Sequence, residues 1–157
     1  MDRKKVLFVC THNSARSQMA EGILNSFHSD RLHAYSTGSD PTQINPYSIK
    51  VLKEIGVDIS GNYSKGFSDL PDIEFDYIVT VCDSAQEKCP HFGGSGIKIH
   101  KSFNDPSAYS GSDEEKAGFF RKVRDEIRGW IDNEFINYTN PIQNVPTAAK
   151  EQVNDQV

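Results

Sequence analysis

Three cysteines, an arginine and an aspartate hold most of the chemistry this chain can perform. Cys10 is followed by Thr11-His12-Asn13-Ser14-Ala15 and then by Arg16-Ser17. A tetrahedral oxyanion needs several short donors around it. Consecutive backbone N–H groups in a tight loop supply them, and the start of a helix adds its field. Thr11 to Arg16 have the length for such a cradle, and a planar guanidinium at Arg16 can grip two oxygens at once. Positive surroundings of this kind favour a thiolate, and the Ser17 hydroxyl can donate to it. Asn13 suits a left-handed backbone better than most residues. The loop lacks the Gly-Lys-Ser/Thr of nucleotide-binding enzymes. Cys82 and Cys89 follow a second strand-like run, and three thiols around one anion loop point to oxyanion chemistry that ends in a disulfide. Their spacing is wider than that of a zinc knuckle. His12, His28, His33, His91 and His100 show no ligand spacing, so no metal is expected. Asp105-Pro106 reads either as an acid on a loop or as a common turn.

These residues are positioned by alternating strands and helices. Residues 5–10 read as a buried strand that ends at Cys10. Residues 18–27 repeat apolar side chains at helical spacing (Met19, Ala20, Ile23, Leu24, Phe27). Residues 33–37 are strand-like. Asn45-Pro46 caps a second helix that runs to Ile55, with Gly56 beyond its end. Residues 75–81 and 96–100 are further strands. The last helix spans 113–137, with Phe119, Val123, Ile127, Ile131 and Phe135 recurring every four residues, joined by Phe120 and Trp130. The alternation predicts an α/β fold of three layers, α/β/α, around a four-stranded parallel sheet of order 2-1-3-4. In that order Cys10 and Cys82 both lie at the C-terminal ends of neighbouring strands, the edge where open parallel sheets bind ligands.

The 157 residues fit one domain, expected over 1–137, with a polar and flexible tail over 138–157. A formal net charge of −5 argues against a nucleic-acid partner. No apolar run approaches a membrane span and no signal peptide is evident. A cytoplasmic location is expected, where cysteines are more often catalytic than structural.

The loop Val9 to Glu21, the run Val81-Cys82-Asp83-Ser84-Ala85-Gln86-Glu87-Lys88-Cys89-Pro90, the Phe103-Asn104-Asp105-Pro106 turn and the helix around Phe119 to Ile127 resemble the thioredoxin-coupled arsenate reductases. Those enzymes form a branch of the low-molecular-weight protein tyrosine phosphatase superfamily, and the resemblance covers residues 4 to about 136. It implies that Cys10 is the nucleophile, Arg16 the oxyanion-binding arginine and Ser17 the serine that stabilises the thiolate. Thr11, His12, Asn13, Ser14 and Ala15 complete the anion loop. Cys82 and Cys89 match the shuttle cysteines, giving a Cys10–Cys82 and then a Cys82–Cys89 disulfide. Asp105 matches the acid. The implied partners are arsenate as substrate and thioredoxin as external reductant, acting on a monomer that holds no bound cofactor. The alternative is a tyrosine or small-molecule phosphatase that uses Cys10, Arg16 and Asp105 alone.

Two departures from the pattern matter. Some relatives hold potassium through an Asn, a Glu, a Ser and an Asp. Asn13, Glu21 and Ser36 fit the first three, but Lys65 stands where the Asp would be, so its ammonium is expected to take the place of the ion. Ser107 follows Asp105-Pro106 where the phosphatases carry an aromatic residue, and Tyr109 is at best a weak substitute. Finally, Cys82 and Cys89 are separated by a helix-compatible segment. Two helical turns would hold their Cα atoms about 10 Å apart, too far for a disulfide, so this segment must unwind or bulge on oxidation.

Overall fold

The structure is a computed structural model, described here for residues 3–83 and 88–140. The chain divides into two compact units, Met1–Ile127 and Arg128–Val157. In the first unit, β1 (Lys4–Cys10), β2 (Leu32–Gly38), β3 (Tyr77–Thr80) and β4 (Ile97–His100) form one parallel sheet of order β2-β1-β3-β4. This is the expected order, and it makes β1 a central strand. Val6, Leu7, Phe8 and Val9 are accordingly buried on both faces.

Alternation along β1 sends its side chains to two layers. Cys10, and with it Phe8 and Val6, faces α1 (Arg16–Phe27), where Sγ meets Ser17. Leu7 and Val9 face the opposite way and pack with Phe75 and Ile78. On that side the covering layer is short. It comprises the 3₁₀ turn Phe67–Asp69, Leu70, Ile73 and the ring of Phe92. Phe92 meets Phe67 edge-on with ring centroids 5.0 Å apart.

α2 (Pro46–Lys53) starts as its sequence predicts: Asn45 accepts from the Tyr47 N–H and Pro46 fills the first turn. It stops earlier than expected. Gly56, at φ +83°, lets the Val57 N–H fold back onto the Leu52 carbonyl. α3 (Asp113–Trp130) lies against α2 within the first unit: Tyr47 packs on Phe120, and Glu54 takes hydrogen bonds from both Arg121 and Arg124. Its buried side is Ala117, Phe120, Val123 and Ile127. Phe119, expected on that side, instead stacks on Tyr109 at 4.6 Å.

In the second unit the helix runs on through a π-helical turn, Ile131–Phe135, into α4 (Ile136–Thr139). A repeat of four residues is longer than an α-helical turn, and the wider π turn brings Trp130 and Phe135 into a stack at 5.1 Å. The helical path thus passes the expected end at 137; from 141 onward the predicted tail lies outside the described residues. Among the described residues no helix is long and apolar enough to cross a membrane.

Candidate active site: an anion loop beside a disulfide

The turn between β1 and α1 is built by its carbonyls. Thr11 O accepts from the Asp40 N–H at 2.8 Å, His12 O from Thr42 at 3.3 Å and Ser14 O from Asn45 at 3.0 Å, while the Ser64 hydroxyl donates to Asn13 O at 2.9 Å. Among the described residues all peptides are trans, so carbonyls turned outward leave the N–H edges facing inward. Asn13 makes the turn possible at φ 52°, the one non-glycine residue with positive φ among those described. Gly38, level with Cys10 in the β1–β2 register, lies flush against the loop. A Cβ there would stand 2.4 Å from Thr11 O and 2.8 Å from the Asn13 nitrogen.

Polar side chains fasten the turn from within. The Lys65 backbone N–H donates to Asn13 Oδ1 at 2.8 Å, which identifies that atom as the oxygen. Gln18 donates to the same oxygen. Asn13 Nδ2 therefore points to Ser17 Oγ, 2.7 Å away, and Ser17 Oγ is 2.8 Å from Cys10 Sγ. With the serine oxygen accepting from Asn13, its hydroxyl proton is free to be donated to a Cys10 thiolate. Cys10 is a buried, free cysteine.

A cavity of about 200 Å³ opens over this sulfur, lined by Cys10, His12, Ser14, Ala15, Arg16, Thr42, Asp105 and Ser107. The fold therefore brings Asp105, distant in sequence, to the anion loop. Arg16 is buried; its Nη1 donates to the Phe103 carbonyl at 3.1 Å and its Nη2 lies 3.8 Å from Asp105 Oδ2. Asp105 also caps the 3₁₀ turn Pro106–Ala108, accepting from the backbone and hydroxyl of Ser107. Asp105 is thus a turn residue that also borders the cavity. Thr11 does not line the cavity; its hydroxyl is buried with no partner among the described residues. Tyr109 does not line it either.

The predicted cation site holds an ion pair. Lys65 Nζ is 3.8 Å from Glu21 Oε1, and the Ser36 hydroxyl donates to the same oxygen. Burial pushes the Glu21 carboxyl up, against the pull of the Lys65 ammonium and of Ser36. Asn13 departs from the expectation. Its side chain takes the Lys65 backbone N–H rather than facing the ammonium.

Parallel pairing sets Val9 beside Thr80, and the Val81 N–H continues the ladder to Val9 O. Cys82 follows one residue later and is buried. It is joined to Cys89 by a disulfide with Cα atoms 5.8 Å apart, well below the two-turn helical distance. The helix-compatible segment falls partly on residues 84–87, which lie outside the described residues; no helix flanks it at 82–83 or 88–90. Sequence reasoning missed Thr42, the Phe103 carbonyl and Gly38, whereas Ser107, noted after Asp105-Pro106, lines the cavity. Only Gly38, a glycine closing a strand beside the loop, offered a signal.

Residues 5–134 match the family model described as low molecular weight phosphotyrosine protein phosphatase. The chain belongs to that family. Within the phosphatase-like family it is 41% identical to an arsenate reductase of Halalkalibacterium halodurans, over 81% of this chain and 91% of the relative. A solved arsenate reductase in an intermediate state superposes with a TM-score of 0.67 at 29% identity, covering 87% of this chain and 99% of the other. A thioredoxin-dependent arsenate reductase of Corynebacterium glutamicum superposes with a TM-score of 0.57 at 27% identity, covering 85% of this chain and 63% of that one.

Proposed function

We propose that the protein reduces arsenate to arsenite, with its own thiols as the electron donors and thioredoxin as the external reductant. The observation that carries this reading is a disulfide between Cys82 and Cys89 beside a free Cys10 at the base of an anion loop. Hydrolysis of a phosphate ester has no use for that pair.

In the proposed sequence the inward N–H groups of the loop and the guanidinium of Arg16 hold the tetrahedral anion. The Cys10 thiolate, steadied by Ser17, attacks arsenic. Asp105 protonates the departing oxygen, which leaves as water. The Cys82 thiolate then attacks the Cys10 sulfur, and the S–As electron pair stays on arsenic as arsenite departs. Cys89 attacks Cys82, freeing Cys10, and thioredoxin reduces the resulting Cys82–Cys89 disulfide. No bound cofactor is required, because a dithiol oxidised to a disulfide yields the two electrons. The Lys65 ammonium, against Glu21, stands in for a bound cation. The similarity to a protein whose name includes thioredoxin dependence supports the choice of reductant.

The phosphatase alternative shares Cys10, Arg16 and Asp105, but among the described residues no phenyl, phenol or indole ring lines the cavity to receive an aryl ester. The decisive assay follows arsenite formation with thioredoxin, thioredoxin reductase and NADPH. Sustained, arsenate-dependent NADPH oxidation with matching arsenite is the expected result. Phosphate-ester hydrolysis without arsenite would instead select the phosphatase.

A further inference from the structure

His12 is the one imidazole among the described residues that line the cavity. Its side chain is half-exposed, and its Nδ1 is 2.9 Å from the carbonyl oxygen of Asp40. A carbonyl can only accept, so Nδ1 carries a proton. The Asp40 carboxylate lies 3.7 Å from the same nitrogen. Nε2 is then the atom at which the ring gains and loses a proton, and it has no partner among the described residues.

The proposed reaction consumes protons, and this inference rests on that reading. When the Cys10 thiolate displaces water from H₂AsO₄⁻, one proton goes to the leaving oxygen. When Cys82 forms its S–S bond to Cys10, the Cys10–As bond breaks and its electron pair passes to arsenic, reduced from +5 to +3, while the two sulfurs are oxidised. The departing HAsO₃²⁻ needs two further protons to leave as neutral arsenous acid. Among the lining residues Cys10 is the nucleophile, Arg16 keeps its protons, and Ser14, Thr42 and Ser107 hold theirs. Only Asp105 and His12 remain, and Asp105 serves the loss of water.

We infer that His12 is a second general acid, whose Nε2–H donates to an arsenic-bound oxygen as the S–As bond breaks, the other proton coming from solvent. Imidazole is the side chain that exchanges protons near neutral pH. The ionisable groups that face it are the Asp40 carboxyl and, across the cavity, Arg16, Asp105 and Cys10. Its exposed position lets bulk water recharge it after each turnover.

The test measures single-turnover arsenite release in the reduced parent, His12→Ala and His12→Gln, with phosphate competition to check that each still binds the anion. Glutamine can still donate to the Asp40 carbonyl but cannot act as an acid. Both variants are expected to release arsenite about 100-fold more slowly, and added imidazole should restore His12→Ala, more or less strongly as the basicity of the imidazole is varied. Near-parent release from either variant, or a loss in His12→Ala that no imidazole relieves, overturns the assignment. Failure of the parent to release arsenite refutes the arsenate reading itself and is thereby told apart.

Discussion

The segment from Cys10 to Ser17 and the segment from Lys88 to Ser95 are built in opposite ways. In the first, the carbonyls of Thr11, His12, Asn13 and Ser14 are all bonded, and Asn13 joins Lys65 to Ser17 and so to the sulfur. In the second, the described residues make no backbone–backbone hydrogen bond; the segment is held by the disulfide, by Phe92 against Phe67 and Phe75, and by Lys98 donating to Gly94 O. Gripping a tetrahedral anion requires donors fixed in advance. Passing a disulfide onward requires a thiol that meets one partner and then another, and a segment with few fixed bonds opens at little cost.

The most severe way to break the rigid half is Cys10→Ser. A neutral hydroxyl is a poor nucleophile there, and arsenate reduction together with any phosphatase activity should fall by about 10⁴-fold or more. Turnover at a few per cent of the parent would remove Cys10 from the role. The sharpest contrast comes from the disulfide half. Cys89→Ser should release one arsenite per enzyme and stop as a Cys10–Cys82 disulfide, whereas Cys82→Ser should stop before release yet keep any phosphatase activity. Arsenite counting with disulfide mapping by mass spectrometry separates them, and repeated turnover by either with thioredoxin alone would reject the relay.

Smaller effects test how the rigid half is tuned. Arg16→Lys keeps the charge but loses the two-pronged grip and the tie to the Phe103 carbonyl. A loss of about 10²–10³-fold in kcat/KM is expected, and near-normal kinetics would show that the backbone cradle suffices. The smallest effect is expected from Lys65→Asp, which replaces a fixed ammonium with an anionic ligand beside Glu21 and Ser36. Stability in potassium against a bulky organic cation, at matched ionic strength, should then differ by about 1 kcal/mol. Equal stability in the two salts would mean that Lys65 does not stand in for an ion.

What was legible in the sequence was mostly local. Strand order follows from alternation and handedness, and the anion loop from adjacent residues, so Cys10, Asn13, Arg16 and Ser17 emerge where spacing puts them. On α3 the reading of Phe120, Val123 and Ile127 as packing residues agrees with their burial, but a 3.6-residue turn carries Phe119 off that side and brings Ala117 onto it. The bond from Arg16 to the Phe103 carbonyl spans 87 residues and uses a backbone atom, which no side-chain pattern reveals. Lys65 was placed correctly beside Glu21, but the bond from its backbone N–H to Asn13 has no side-chain signal in the sequence.

Gly38 touches no substrate, carries no side chain and titrates nothing, yet the space over it is already filled by Thr11 O and the Asn13 nitrogen. A survey of inactivating substitutions would rank it with the nucleophile. Even alanine there must push the Thr11–Asn13 backbone aside or part β1 from β2, and either movement spoils the spacing of the N–H groups around the anion. Attempts to widen the substrate range can therefore vary the rim at Thr42 and Ser107, but the strand behind the loop acts as its mould and leaves no room for variation at position 38.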